Sequence, residues 1–429
     1  MTAPLRLYAR IPIDWNASIY YRLITPMRAL AEAGYADIAI DRGDLSVSEE
    51  TRMQMGAYSS FNMFYQPISD DVGTTAEQMR SFGSYWRTPD EWDVAPHFII
   101  DTDDNILEVD PLNPAFANLG WQIDGTPLES GAVVVTENAD GSKVKLYEDG
   151  ERGFNVEENK KKVASFKRNL MHADLVTCST REVEKYVLKA VPDANTLVIP
   201  NCVRFEDYPK IELADHTDEV RILWQGSPTH YLDLFRIKDS IKKLHDKYPQ
   251  TTWYFWGGHY EWLYRELDPS RVVLLPWCEY QEYKLRLNML NFDINLAPLT
   301  DNSFNCCRSA IKFYEASACY KPAATLAEST AQFKEDIIDG ETGFLYSSTE
   351  EFEEKLSKLI EDKQLRARIA QNAQQWVRDN RDIKLYLGLI LDKLTHLRET
   401  RKALKGEPPR PEIKEPDAEP IPAEQPDIR

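Results

Sequence analysis

Short apolar runs alternate with amphipathic stretches along most of the chain. Leu5–Ile11 reads as a buried strand, followed by the loop Pro12–Ser18. A helix comes next, with Ile19, Leu23, Met27 and Leu30 at helical spacing and Gly34 to close it. Further apolar strands are expected at Tyr35–Ile40, Phe61–Gln66 and Phe98–Ile100, then in ADLVTCST, the helix REVEKYVLKAV and NTLVIPNCV. The alternation restarts at VRILWQG and continues through a helix from Tyr231 to Lys247, TTWYFWGG, RVVLLPW and a helix from Tyr280 to Leu290. FDINLAPL follows as a buried strand, then the polar loop Thr300–Cys307. The next helix carries Ala310, Ile311, Phe313, Tyr314 and Ala318 on its apolar side, and Lys-Pro ends it before the strand Ala323–Ala327. Strands alternating with helices of this length predict parallel βαβ units, here in two series and so in two α/β domains.

Two stretches break the alternation. In residues 117–155 the sequence GAVVVTENADGSKVKLYEDG reads as a hairpin turning at Asn138–Gly141, an insertion of the kind that carries substrate choice. The helix after it, Val156–Met171, holds Lys160, Lys161, Lys162, Lys167 and Arg168. That basic run suits a solvated face or a phosphate-bearing acceptor. The expected division is an N-terminal domain over 1–205, a linker over 206–218, a second domain over 219–380 and a crossover helix over 381–405. Residues 406–429, rich in proline and charge, read as a disordered tail.

A length of 429 residues accommodates two domains, and 42% hydrophobic content is that of a folded chain. The net charge of −19 disfavours a broad electrostatic grip on nucleic acid or on an anionic membrane. The six cysteines form no C-x-x-C pair, so neither a zinc site nor a disulfide framework is indicated. With no apolar run of transmembrane length and no apolar leader, the chain is expected to work in the cytoplasm.

The chemistry concentrates in Phe292–Tyr346, where Asn305, Arg308, Ser309, Lys312 and Glu315 sit at or just after a helix start. Unpaired backbone N–H groups and the helix dipole favour an anion such as phosphate there. Lys312 and Glu315 are three apart and share one face, which suits a diphosphate beside hydroxyls and equally an exposed ion pair. Tyr20, Tyr21 and Arg22 follow the first strand and would face the ligand crevice or simply pack. Gly226-Ser227-Pro228-Thr229-His230 forms the first βα loop of the second series, and Gly257-Gly258 ends its second strand. Asp101, Asp103 and Asp104 crowd the end of the strand Phe98–Ile100. They read as a cradle for sugar hydroxyls, a magnesium or manganese site, or a capped turn.

Lys312–Thr325, K-F-Y-E-A-S-A-C-Y-K-P-A-A-T, is followed by an acidic helix and D-G-E-T-G-F-L-Y. The series resembles the nucleotide-sugar signature of retaining GT-B glycosyltransferases, especially glycosyltransferase family 4, with K-x-x-E-A-x-A-x-G-x-P-V-V-A and a G-x-x-G-x-L turn. Tyr320 stands where the family prefers glycine, and Cys307 where it has its first glutamate, eight positions before Glu315. The resemblance implies two Rossmann-like domains facing a cleft and a C-terminal helix crossing back to the first domain. It also implies transfer of a sugar from a uridine or guanosine diphosphate donor, with retention and with no other cofactor required.

On this resemblance Lys312 and Arg308 would stabilise the leaving diphosphate, while Asp103 and Asp104 would face the sugar. Gly226, Ser227, His230, Asn305, Ser309, Glu315, Tyr21 and Arg22 would hold the donor, Glu315 through the ribose. Asp14, Trp15, Lys161 and Lys162 are the acceptor-side candidates. The acceptor is left open among a polysaccharide, a small metabolite and a modified nucleic-acid base, the last as in phage enzymes, which would place the chain in a host cytoplasm. A GT-B epimerase or phosphorylase, and an inactive nucleotide-sugar-binding paralogue, are the alternatives.

Overall fold

The computed structural model describes residues 4–11, 17–42, 48–68, 72, 75, 96–137, 142–214, 216, 219–227, 230–258 and 260–403. Outside them lie Asp14 and Trp15, the hairpin turn Asn138–Gly141, Pro228 and Thr229, and the 406–429 tail.

Two six-stranded parallel sheets organise the chain. The first contains β1 (Leu5–Arg10), β2 (Ala36–Asp41), β3 (Phe61–Tyr65), β4 (His97–Thr102), β5 (Leu175–Cys178) and β6 (Thr196–Val198), in the order β6-β5-β4-β3-β1-β2. The second contains β7 (Val220–Gly226), β8 (Thr251–Gly257), β9 (Val272–Leu275), β10 (Ile294–Ala297), β11 (Ala324–Glu328) and β12 (Phe344–Tyr346), in the order β9-β8-β7-β10-β11-β12. In each sheet the order reverses once, at β1/β3 and at β7/β10. Ligands of open α/β sheets bind outside the carboxyl ends of the strands at such points. Buried Val, Ile, Leu and aromatic residues fill β4, β7 and β10 on both faces, as strands covered by helices require.

The halves share one apolar core. Leu7, Leu23 and Met27 of the first pack in the same cluster as Phe313, Ala316, Val377 and Ile390. After the Lys363–Asn380 helix the chain returns to the first half: Val203 donates its N–H to Arg381 O at 2.9 Å and accepts from Ile383 N at 3.0 Å. The Leu387–Ala403 helix then reaches the first sheet's edge, where Lys393 Nζ donates to Asn195 Oδ1 at 2.6 Å. Among the described residues no helix is long and apolar enough to cross a membrane.

Within residues 117–155, Val133–Glu137 pairs antiparallel with Lys143–Glu148. The pair is anchored by Phe116, Tyr147 and Phe154, whose rings meet at 5.2–5.7 Å. The helix after β1 departs from the expected α pattern. Ala17–Ile19 and Thr25–Glu32 flank a π-helical turn, Tyr20–Ile24, and all five residues of that turn are buried. Tyr20, Tyr21 and Arg22 each reach a different, largely buried carboxylate: Asp207, Glu315 and Asp101. Three consecutive polar side chains with buried partners do not fit one α-helical stripe, and single π turns of this kind occur frequently at functional sites.

Candidate active site

A cavity of about 460 Å³ opens between the carboxyl ends of the two sheets. Gly226 at the end of β7, Ser227 after it, and Pro298 and Leu299 after β10 line it from the second half. Ala17, Ser18, Tyr21, Asp103, Asp104 and Asn201 face it from the first. Gly257 pairs with Gly226 at the ends of β7 and β8 and has φ +95°. A Cβ there would stand 2.7 Å from Gly226 O, so the close approach of these two strand ends requires glycine.

Glu315, on the Ile311–Ala318 helix, is 4% exposed and lines this cavity. Its Oε1 accepts from Tyr21 OH at 2.6 Å and Tyr280 OH at 3.1 Å. Its Oε2 accepts from Tyr283 OH at 3.0 Å and Gln225 Nε2 at 3.4 Å. Burial pushes the carboxyl pKa up, and the bond from Tyr21 and the charge of Lys284 oppose that. Gln225 Oε1 beside it is buried and has no hydrogen-bond partner among the described residues, which suits a donor such as a hydroxyl. Trp256, Trp277, Tyr280 and Tyr283 add aromatic surface, with Trp277 65% exposed.

Cations gather at the other end. Arg308 Nη1 donates to His230 Nε2 at 3.3 Å, and its Nε lies 3.6 Å from Asp104 Oδ1 across the cleft. His230 Nδ1 lies 2.7 Å from Asp233 Oδ2, while Asp233 Oδ1 accepts from Thr300 N and Oγ1, both at 2.7 Å. Burial, then the charge of Lys312, lowers the His230 pKa to about 3, so the ring is neutral at neutral pH. A neutral ring beside the Asp233 carboxylate carries its proton on Nδ1 and leaves Nε2 to accept from Arg308. Burial lowers the Lys312 pKa to about 8, with Asp233 opposing and Arg308 acting in the same sense as burial. Its ammonium stands 5.6 Å from the centre of the Trp224 ring. Lys312 and Glu315 therefore form no exposed ion pair: both face the cavity, and Glu315 is bonded to tyrosines.

The carboxylates at the end of β4 diverge. Asp101 is enclosed by Arg22, which bonds both its oxygens at 2.9 and 2.8 Å, and by Thr177 Oγ1 at 2.5 Å. Arg22 also donates to Ile199 O and, at 3.2 Å, to Asn201 Oδ1. Neither Arg22 nor Asp101 lines the cavity, because each satisfies the other's buried charge. Asp103 Oδ1 accepts from Tyr65 OH at 2.5 Å and Gln66 Nε2 at 3.2 Å. Burial, then the charge of Asp103, raises the Asp104 pKa to about 6, and Arg308 opposes the shift. Among the described residues no three His, Cys, Asp or Glu side chains are grouped to hold a metal ion.

Ser309 lines the cavity and its hydroxyl accepts from Asn201 Nδ2 at 2.8 Å. Asn305 does not line it; its amide donates to Thr300 O at 2.9 Å and holds the loop. Cys307 points the other way, into the first half's apolar cluster with Val183 and Val187, and Thr180 Oγ1 donates to its carbonyl at 3.1 Å. A glutamate there would bury a carboxylate among apolar side chains. Lys161 pairs with Glu158 at 2.9 Å and Lys162 donates to Asn118 O at 3.2 Å, and neither lines the cavity. Sequence reasoning missed Gln225, Asn201, Trp256, Trp277, Tyr280 and Tyr283. Tyr280 and Tyr283 could have been found by the argument applied to Tyr20 and Tyr21, since they too follow the carboxyl end of a strand.

Residues 309–376 match the family described as glycosyl transferases group 1. No curated protein matches the chain. Among solved structures, Anabaena HepE in complex with UDP is similar at 12% identity and a TM-score of 0.55, covering 91% of this chain and 100% of that one. Sucrose-phosphate synthase from Thermosynechococcus elongatus is similar at 13% identity and a TM-score of 0.55, covering 91% and 99%. A glycosyltransferase from Rickettsia africae is similar at 12% identity and a TM-score of 0.55, covering 92% and 98%. The two parallel-sheet domains are thus those of the GT-B fold, and the resemblance to group 1 glycosyltransferases is met in the segment that carries Lys312 and Glu315.

Proposed function

We propose that the cavity binds a nucleoside diphosphate sugar and that the chain transfers the sugar to an acceptor hydroxyl with retention. The observation that carries this reading is the polarity of one cavity. Lys312 and Arg308 gather at one end, and Glu315, Gln225, Trp256, Tyr280, Tyr283 and the exposed Trp277 at the other. A diphosphate fits the first end, and a ribose with a stacked base fits the second. HepE, which shares the fold, is bound to UDP, and uridine is the base we assign. Residues 1–205 would form the acceptor-side domain and 219–380 the donor-side domain.

In this mechanism the bond between the anomeric carbon and the diphosphate oxygen breaks, and its electron pair leaves with the phosphate. Lys312 and Arg308 stabilise the charge that develops there. The acceptor oxygen bonds to the same face, and its proton passes to the departing phosphate oxygen. Asp104 pairs with Arg308 and so is not a free nucleophile, which favours front-face displacement over a covalent intermediate. Asp103 and Asp104 face the sugar.

Hydrolysis of a panel of UDP- and GDP-sugars without acceptor tests the reading. One donor should be hydrolysed with a bell-shaped kcat/KM profile. The acid limb lies near pH 6, where Asp104 loses its proton and engages Arg308. The alkaline limb lies near pH 8, where Lys312 loses its charge. Lys312→Arg should move the alkaline limb beyond the measured range, because a guanidinium keeps its proton. Absence of turnover with every donor, or a profile flat from pH 5.5 to 9, would contradict the proposal.

A further inference from the structure

The carboxylate that the donor reading places against the ribose already has its acceptor positions filled. An ionised carboxylate offers about four of them, and on Glu315 they are taken by Tyr21, Tyr280, Tyr283 and Gln225. A nucleoside hydroxyl therefore reaches Glu315 only by displacing one of these donors. Gln225 at the end of β7, and Tyr280 and Tyr283 on the Tyr280–Leu290 helix, belong to the same half as Glu315. Tyr21 comes from the first half, on the π turn, and crosses the cleft to reach it. We propose that Tyr21 is a gate on the nucleoside site: it holds the position on Glu315 that a ribose hydroxyl takes, and swings to Tyr208 when the nucleoside enters. This rests on the donor reading and adds to it a positioning residue that sets donor affinity.

Burial, then the charge of Glu315, raises the Tyr21 pKa, so the hydroxyl keeps its proton and competes as a donor. Gln225 is the poorer candidate for displacement. Its Nε2 stands off at 3.4 Å, and its Oε1 suits a second hydroxyl of the same ribose, a contact that moving the side chain would lose. The group that receives Tyr21 is already in place. Tyr208 is 5% exposed, and its hydroxyl lies buried beside Tyr21 and Glu315 with no hydrogen-bond partner among the described residues. An unpaired buried hydroxyl is costly, so the partner it gains from Tyr21 offsets the bond that Glu315 gives up. The Lys284 ammonium stands 4.9 Å from the centre of the Tyr21 ring and 5.8 Å from that of Tyr208, so the move stays within one cluster. Because the Tyr21–Glu315 bond joins the two halves, the empty chain is held by a contact that the ligand must break.

Calorimetric titration of the full chain with UDP, uridine and pyrophosphate tests the gate in wild type, Tyr21→Phe and Tyr208→Phe. Tyr21→Phe keeps the ring and removes only the competing donor. We expect this variant to bind UDP and uridine at least about fivefold tighter than wild type, the scale of one hydrogen bond, and pyrophosphate equally well. Without ligand it should unfold at a lower temperature, since a bond between the halves is gone. A merely structural tyrosine would lose that stability and gain no affinity. Tyr208→Phe should bind UDP at least about threefold more weakly, because the displaced Tyr21 hydroxyl then finds no partner. UDP affinity equal or weaker in Tyr21→Phe, tightening shared by pyrophosphate, or unchanged affinity in Tyr208→Phe would overturn the gate and leave the donor reading standing. No UDP binding to wild type or to either variant would overturn both.

Discussion

Replacing Lys312 by alanine is expected to lower kcat for donor turnover by about 10²–10³-fold, the scale of one lost group at a developing oxyanion, with the donor KM changing only a few-fold. The ammonium lies in the cavity wall where the diphosphate is proposed to leave, and burial has already weakened its hold on its proton. A diphosphate draws that proton back, and the attraction grows as charge builds on the leaving oxygen. Arg308 cannot replace it, because His230 and Asp104 hold the guanidinium from two sides. Lys312→Arg should recover part of the rate, since the charge is kept and only the geometry changes. Normal turnover in a folded Lys312→Ala protein would remove the lysine from the mechanism.

Glu315→Gln is expected to weaken UDP binding by roughly 1.5–3 kcal/mol, about 10- to 150-fold, the scale of hydrogen bonds to a charged group. The carboxylate accepts four bonds, from Tyr21, Tyr280, Tyr283 and Gln225, so it orients one whole end of the cavity. Glutamine keeps the shape but brings an N–H₂ where the tyrosines already donate. Pyrophosphate, which lacks the ribose, should bind the variant as well as it binds wild type. Equal loss for UDP and pyrophosphate would show damage to the fold rather than to a ribose contact. Unchanged UDP affinity would exclude Glu315 from the site.

Much of this arrangement is local and therefore legible in the sequence. Apolar runs such as Ile294–Ala297, and the helix that follows the loop 298–310, place Lys312 and Glu315 near a strand's carboxyl end. The helical spacing also puts both on one face, and the family signature adds the nucleotide-sugar reading. What escaped depends on partners far away along the chain. Arg22 meets Asp101 79 residues on, which turns a candidate phosphate contact and a candidate metal ligand into a buried pair. The π turn at Tyr20–Ile24 is equally hidden, since Ile19, Leu23, Met27 and Leu30 also satisfy an α-helical period. Cys307 stands where the family has its first glutamate, yet its side chain packs into the other half's core. Trp277 carried no spacing signal at all, and its role depends on where β9 ends relative to Gly257.

The central claim is that one cavity recognises a nucleoside and its diphosphate together. Calorimetric titration of the full chain with UDP and with uridine tests it most directly. Two cations at the phosphate end should make UDP bind at least about 100-fold tighter than uridine, roughly 2.7 kcal/mol. Equal affinity for the two ligands, or no saturable binding of UDP, would contradict the account.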